Sequence, residues 1–337
     1  MFAAVDARKW VMRLLPWVIT LGVLAYIGST TDIDAALDTL KGTNWLGFVP
    51  TVLIVVLASF FFDSWALVQL FSRFNTPVTT REMLPLKGTS YFLNVINYNA
   101  AAAGIALFFR NRKDVPFLEA LASMLWMNFI DIVSLATLML VGMAFAAGSG
   151  GLDPDYQNIL IGLAGFIYTV LAGSCIYWNY GFDWLILGRF RSWTIFSTFA
   201  KAKLSDYVRF IAIRTAFVMT YVVSQWACMP FFSMDATLGE LLLYVPVLTF
   251  VGTIPLTTVA GMGTVQVLMR QFFLPFVPVA AASEMTAHID AYSTTTILSF
   301  VLCRIIIGAF FMGSVTRDFE AHSASSSASE SDKNSAP

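Results

Sequence analysis

The sequence predicts an all-α polytopic membrane protein, with about six full transmembrane helices and two re-entrant or broken helical elements arranged as an inverted repeat. Three observations carry this. Of the 337 residues, 58% are hydrophobic and only 12% are charged, too little polar surface to cover a soluble domain of this size. The apolar residues gather into runs near the roughly 20 residues that a span needs. The connections between the runs carry basic or acidic charge in a pattern that reads as cytoplasmic or external under the positive-inside rule.

The first run, 14–30, follows Arg8, Lys9 and Arg13. No convincing small-x-small cleavage pattern follows it, so it reads as an uncleaved helix with a cytoplasmic N-terminus. After the acidic connection 32–38, the run 45–71 brings the chain back to the cytoplasm at Arg73, Arg81 and Lys87. The run 88–109 then ends at Arg110, Arg112 and Lys113, so both of its flanks are basic. A full span here would invert every later assignment against its own charge bias. It reads instead as re-entrant, because its 22 residues cannot cross twice. Asn94, Asn97, Tyr98 and Asn99, followed by the alanines 100–103 and Gly104, put polar and small residues where a turn at membrane depth would fall. The runs 115–147, 159–178 and 210–234 go out, in and out. They agree with acidic flanks at 148–155 and 235–240 and with basic Arg189, Arg191, Lys201, Lys203 and Arg209. The stretch 241–279 starts and finishes outside, and Pro246, Pro255, Gly261, Gly263, Pro275 and Pro278 break it into either a re-entrant hairpin or two short spans. The run 289–315 returns to the cytoplasm at Arg317. One membrane domain is expected over 1–317, with repeat halves at about 45–147 and 210–315, and the Ser-rich 318–337 is expected to be a disordered cytoplasmic tail.

A formal net charge of -1 speaks against a nucleic-acid partner. Cys175, Cys228 and Cys303 are far apart in apolar stretches and read as packing residues. With only His288 and His322, a histidine metal cluster is excluded, and no P-loop, G-x-G-x-x-G or G-x-S-x-G occurs. No cofactor or metal is therefore expected. The informative residues are the charges inside spans, each costing about 2.5 to 3.5 kcal/mol on insertion scales unless partnered or wet. These are Asp63, Asp131, Arg214 and Arg304. Asp131 and Arg304 are expected to face each other across a pseudo-twofold axis at a central polar cavity, with Asp63 or Asp131 as a candidate proton carrier. Asn128, three residues before Asp131, shares its helix face, and Tyr221 and Gln225 share that of Arg214. Arg110, Arg112 and Lys113, with Arg73, Arg81 and Lys87, form a cationic group suited to anionic head groups. Arg270, beside Gln266 and Gln271, is a candidate phosphate fork on the other side. A membrane-embedded transferase using Asp131 or Asp63 as base, or a small-solute transporter, would use the same residues.

Three short motifs, Asn97-Tyr-Asn-Ala-Ala-Ala-Ala-Gly104, Arg110-Asn-Arg-Lys113 and Asn128-Phe-Ile-Asp131, resemble the first signature of the transmembrane region of bacterial lysylphosphatidylglycerol synthases and of free-standing membrane proteins with the same flippase-like domain. Ile254-Pro255-Leu-Thr-Thr-Val-Ala-Gly261-Met-Gly263-Thr-Val-Gln266 resembles the second. The chain departs from that pattern with Asn128 in place of Arg, Gln266 in place of Glu, and alanines in place of a Pro in the first turn. The resemblance implies movement of a lipid with an anionic or aminoacylated head group, or of a polyprenyl-linked or glycolipid intermediate, between leaflets of a bacterial cytoplasmic (inner) membrane. A lipid-modifying or envelope-synthesis enzyme would be a natural partner. On this reading Asn94, Asn97, Arg110, Arg112, Lys113, Asn128, Asp131, Arg214, Gln266, Arg270 and Arg304 bind substrate, and Gly104, Gly261 and Gly263 are hinges.

Overall fold

A computed structural model describes the backbone of residues 33–96, 98–146, 154–180, 187–253, 264–277 and 282–334. The expected first span, 14–30, lies outside the described residues. Twelve helices and no strand occur among those described. They are α1 (Ile33–Gly42), α2 (Trp45–Phe74), α3 (Thr80–Ile96), α4 (Tyr98–Lys113), α5 (Phe117–Ala146), α6 (Pro154–Tyr180), α7 (Leu187–Phe190), α8 (Ser197–Lys201), α9 (Leu204–Cys228), α10 (Leu238–Thr253), α11 (Thr264–Phe273) and α12 (Ala282–Asn334). Five stretches are long and apolar enough to cross a membrane: Trp45–Phe74, Phe117–Phe145, Tyr156–Tyr180, Leu204–Phe232 and Glu284–Phe311. Their large exposed side chains, such as Leu46, Ile54, Phe61, Phe145, Phe166, Ile306 and Phe310, are what a hydrocarbon solvent requires.

Local chemistry sets the helix starts. Asn44 caps α2 by accepting from the Gly47 N–H at 3.2 Å. Both short hairpins begin with the same Thr-x-x-Glu capping box. At α3, Glu82 accepts from the Thr79 N–H and hydroxyl, both at 2.9 Å. At α10, Glu240 accepts from the Thr237 N–H at 2.8 Å and its hydroxyl at 2.7 Å. Asp114, at φ 52°, takes the left-handed conformation that ends α4.

Two helix pairs are hairpins whose mouths open at opposite ends. The α3–α4 pair begins and ends at the basic end of the molecule, where Lys113 Nζ binds Glu82 Oε1 at 2.5 Å. That end also holds the α2–α9 pair Arg73–Asp206 at 2.8 Å and Lys201–Glu119 at 2.8 Å. The α10–α11 pair begins and ends at the acidic end, where the Asp235 N–H donates to the Phe276 carbonyl at 3.0 Å. There the N-terminus of α2 meets the end of α9, with Phe48 edge-on to Phe232 at 5.3 Å. The first hairpin therefore spans Thr80–Lys113, longer than the 88–109 expected from apolarity, because its outer turns are polar.

Each hairpin packs on a long helix distant from it in sequence. Arm α3 of the first hairpin lies along α12, and arm α10 of the second lies along α5, while α2 and α9 pack on each other. Glycine makes one approach possible: a Cβ at Gly142 would fall into the backbone of Leu242 and Leu243. Two apolar clusters fill the interior. One, around Phe71, Phe109, Trp126, Tyr207 and Phe210, occupies the basic half. The other, around Phe48, Phe232, Phe273 and Tyr292, occupies the acidic half. Beyond the membrane-length part of α12 the backbone stays helical to Asn334, through the Ser-rich segment expected to be disordered; the Ala, Glu and Lys among its serines are compatible with a helix.

Candidate functional site

The two apolar clusters leave a seam. On α2 it falls between Val56 and Ala66, on α5 between Ile130 and Leu135, and on α9 between Ile213 and Phe217. The intramembrane charges sit there. Arg214 of α9 forms a two-pronged contact with Asp131, its second nitrogen at 2.8 Å from Oδ2, and donates to Asp63 Oδ1 at 2.7 Å. Lys87 of α3 closes the chain at 2.6 Å from Asp63 Oδ2. Two cations and two carboxylates from four helices thus neutralise one another between apolar layers, and each partner offsets the desolvation of the next.

Tyr91, one turn past Lys87, links this network to Arg304. The Lys87 ammonium lies 5.4 Å from its ring centroid and the Arg304 guanidinium 5.6 Å. Arg304 also lies beside Tyr221. A narrow crevice opens here, lined by Ser59, Tyr91, Thr220, Tyr221, Ser224 and Arg304 together with apolar side chains. Four helices, α2, α3, α9 and α12, contribute to it.

Asp131 is partnered by Arg214, not by Arg304 as expected. Both arginines lie within spans, but α9 packs along α5 while α12 packs along α3, so Arg214 is the one that reaches the acid. Lys87 leaves the expected surface group altogether, because it points inward at 8% exposure. Lys113 and Arg73 are engaged by Glu82 and Asp206, while Arg110 remains exposed at the end of α4 and Arg112 is half-buried. Asn128 lies three residues before Asp131 on α5, half-buried. Arg270 is not the lone fork expected: Asp290 of α12 binds it through two contacts of 2.6 and 2.5 Å. The reason is that α11 packs on the first turns of α12, where Asp290 is buried. Gln266 is buried and donates to the Thr294 hydroxyl at 2.8 Å. Gly104 lies inside α4, past the hairpin turn, since alanines at 100–103 favour helix over turn. The side chains of Asn94 and Asn97, together with Gly261 and Gly263, lie outside the described residues. Among the described residues no group of three or more His, Cys, Asp or Glu is placed to hold a metal.

The sequence assigned Lys87 to the surface and gave no role to Tyr91 or Asp290. For Lys87 an inward signal existed, since it is the only cation between Glu82 and Phe109.

Five membrane-length helices, two oppositely opening hairpins and a neutralised charge seam define a multi-pass helical membrane protein with a polar interior. The chain belongs to the family described as the lysylphosphatidylglycerol synthase TM region, whose profile matches residues 13–303. That membership links it to lipid handling. No curated protein and no solved structure matches the chain.

Proposed function

We propose that this protein is a lipid translocator, moving a phospholipid or a polyprenyl-linked or glycolipid intermediate between the leaflets of a bacterial cytoplasmic membrane. One observation carries the reading: a charged seam and an Arg304-lined crevice lie between two hairpins whose mouths open at opposite ends. Such a layout is that of an inverted repeat, which offers a central site to either side by rocking one part against another. The 45–147 and 210–315 halves are the repeat units of this proposal, with the basic end cytoplasmic. The head group occupies the crevice while the acyl chains stay in lipid beyond Leu57, Phe61, Leu302 and Ile306, all exposed. Asp63 is the candidate for ion coupling, because protonating it would release Lys87 on the hairpin and leave Arg214 of α9 to Asp131 alone.

Vesicles containing the purified protein and a head-group-labelled fluorescent phosphatidylglycerol test this. A membrane-impermeant reductant should quench both leaflets when the protein is present, and only the outer leaflet in protein-free vesicles. Protection of the inner leaflet in vesicles shown to hold folded protein would sink the reading. Chromatography of the recovered lipid separates movement from chemistry: a new lipid product would instead mark a transferase.

A further inference from the structure

We infer, resting on the translocator reading for its setting, that the Arg304 crevice is a lipid-phosphate site that selects head groups of net negative charge and rejects those carrying an added amine. The nearby carboxylates are already engaged. Asp63 binds Lys87 at 2.6 Å and Arg214 at 2.7 Å, and Asp131 binds Arg214 at 2.8 Å, so these two cations and two anions cancel. Arg304 is an additional charge within the span Glu284–Phe311, and among the described residues it makes no ion pair. Its recorded companions are the Tyr91 ring, 5.6 Å away, and Tyr221.

A guanidinium in the hydrocarbon layer without a carboxylate is expensive, and a phosphate oxygen pair matches its planar fork. The crevice adds hydroxyl donors from Ser59, Tyr91 and Tyr221. With Lys87 cancelled by Asp63, Arg304, 5.6 Å from the Tyr91 ring centroid, leaves one uncancelled positive charge where a head group would sit. An ammonium brought into this crevice would meet the Arg304 guanidinium and find both neighbouring carboxylates already engaged.

The test is lipid retention by the full chain, measured by native mass spectrometry in detergent with phosphatidylglycerol, lysyl-phosphatidylglycerol and inorganic phosphate as probes. Phosphatidylglycerol should be retained roughly tenfold over its lysyl form, the scale of one charge-assisted contact. Arg304→Gln should abolish the preference, and Arg304→Lys, which keeps the charge and guards against misfolding, should retain part of it. Tyr221→Phe should weaken retention without reversing selectivity. Equal or stronger retention of the lysyl lipid, or an unchanged preference in Arg304→Gln, overturns the inference. Displacement of the bound lipid by millimolar inorganic phosphate would make this a free-ion site and overturn the lipid assignment. The vesicle assay separates the two readings. Movement without head-group preference removes this inference alone, whereas selective retention without movement removes the translocator and leaves the site.

Discussion

At the scale of single residues, Arg214 is the keystone, since it alone reaches both carboxylates of the seam. Replacing it with Gln strands Asp131 and half-strands Asp63, so a loss of about 3–5 kcal/mol is expected by the measure of broken buried pairs. Unfolding of the purified protein in detergent measures this. Combining Arg214→Gln with Asp131→Asn should restore a substantial part, while Arg304→Gln combined with Asp131→Asn should behave additively, because those two side chains do not meet. A coupling found in the second pair and not in the first would reverse the assignment. At the basic mouth, Lys113 holds the Glu82 carboxyl below its ordinary value of 4.5. A depressed carboxyl lends stability that is complete above the ordinary value and drains away as pH falls through the lower folded one. Wild type should therefore lose its advantage over Glu82→Gln on acidification below about 4.5, read as converging melting temperatures. Position within spans showed that Asp131 and Arg304 belong inside, but the sequence does not say which helix packs on α5. It is Arg214, on α9, and not Arg304, on α12, that meets Asp131.

At the scale of elements, the hairpins are short helices made stable by their ends. Each starts with a Thr-x-x-Glu box, and that pattern was present at 79–82 and 237–240 to be read from the chain alone. It repeats at the start of both hairpins, so it marks their first residues where apolarity marked only approximate ones. The hairpin character of 88–109 was legible from flanking charge because both flanks are basic. Its outer turns were not, because Lys87 and Glu82 are polar residues whose partners, Asp63 and Lys113, lie on other helices. Arm α10 reaches α5 only because Gly142 has no side chain. Gly142→Leu should force the two backbones apart, lowering stability by several degrees in a detergent melt while leaving Gly162→Leu, which faces open space, nearly unchanged. Equal melting temperatures for the two variants would remove the close approach.

At the scale of the whole molecule, the packing of α3 on α12 and α10 on α5 ties early helices to late ones, and the hairpin mouths point apart. Single cysteines at Pro77 and Asn111, both exposed at the first mouth, should react with an impermeant reagent from one side of the membrane. Cysteines at Asp235 and Pro275, exposed at the second, should react only from the other side. Labelling of either pair from both sides would dissolve the hairpin topology. The charge seam also bears on how the chain is made. Asp63 leaves the ribosome 151 residues ahead of Arg214, its partner on α9. During synthesis it must enter the bilayer while that arginine does not yet exist. Lys87 arrives with the very next helix, so it can escort the acid through insertion and hand half of it over when α9 is threaded in. Lys87→Gln should then reduce the yield of inserted protein more than it lowers the melting temperature of the molecules that do fold.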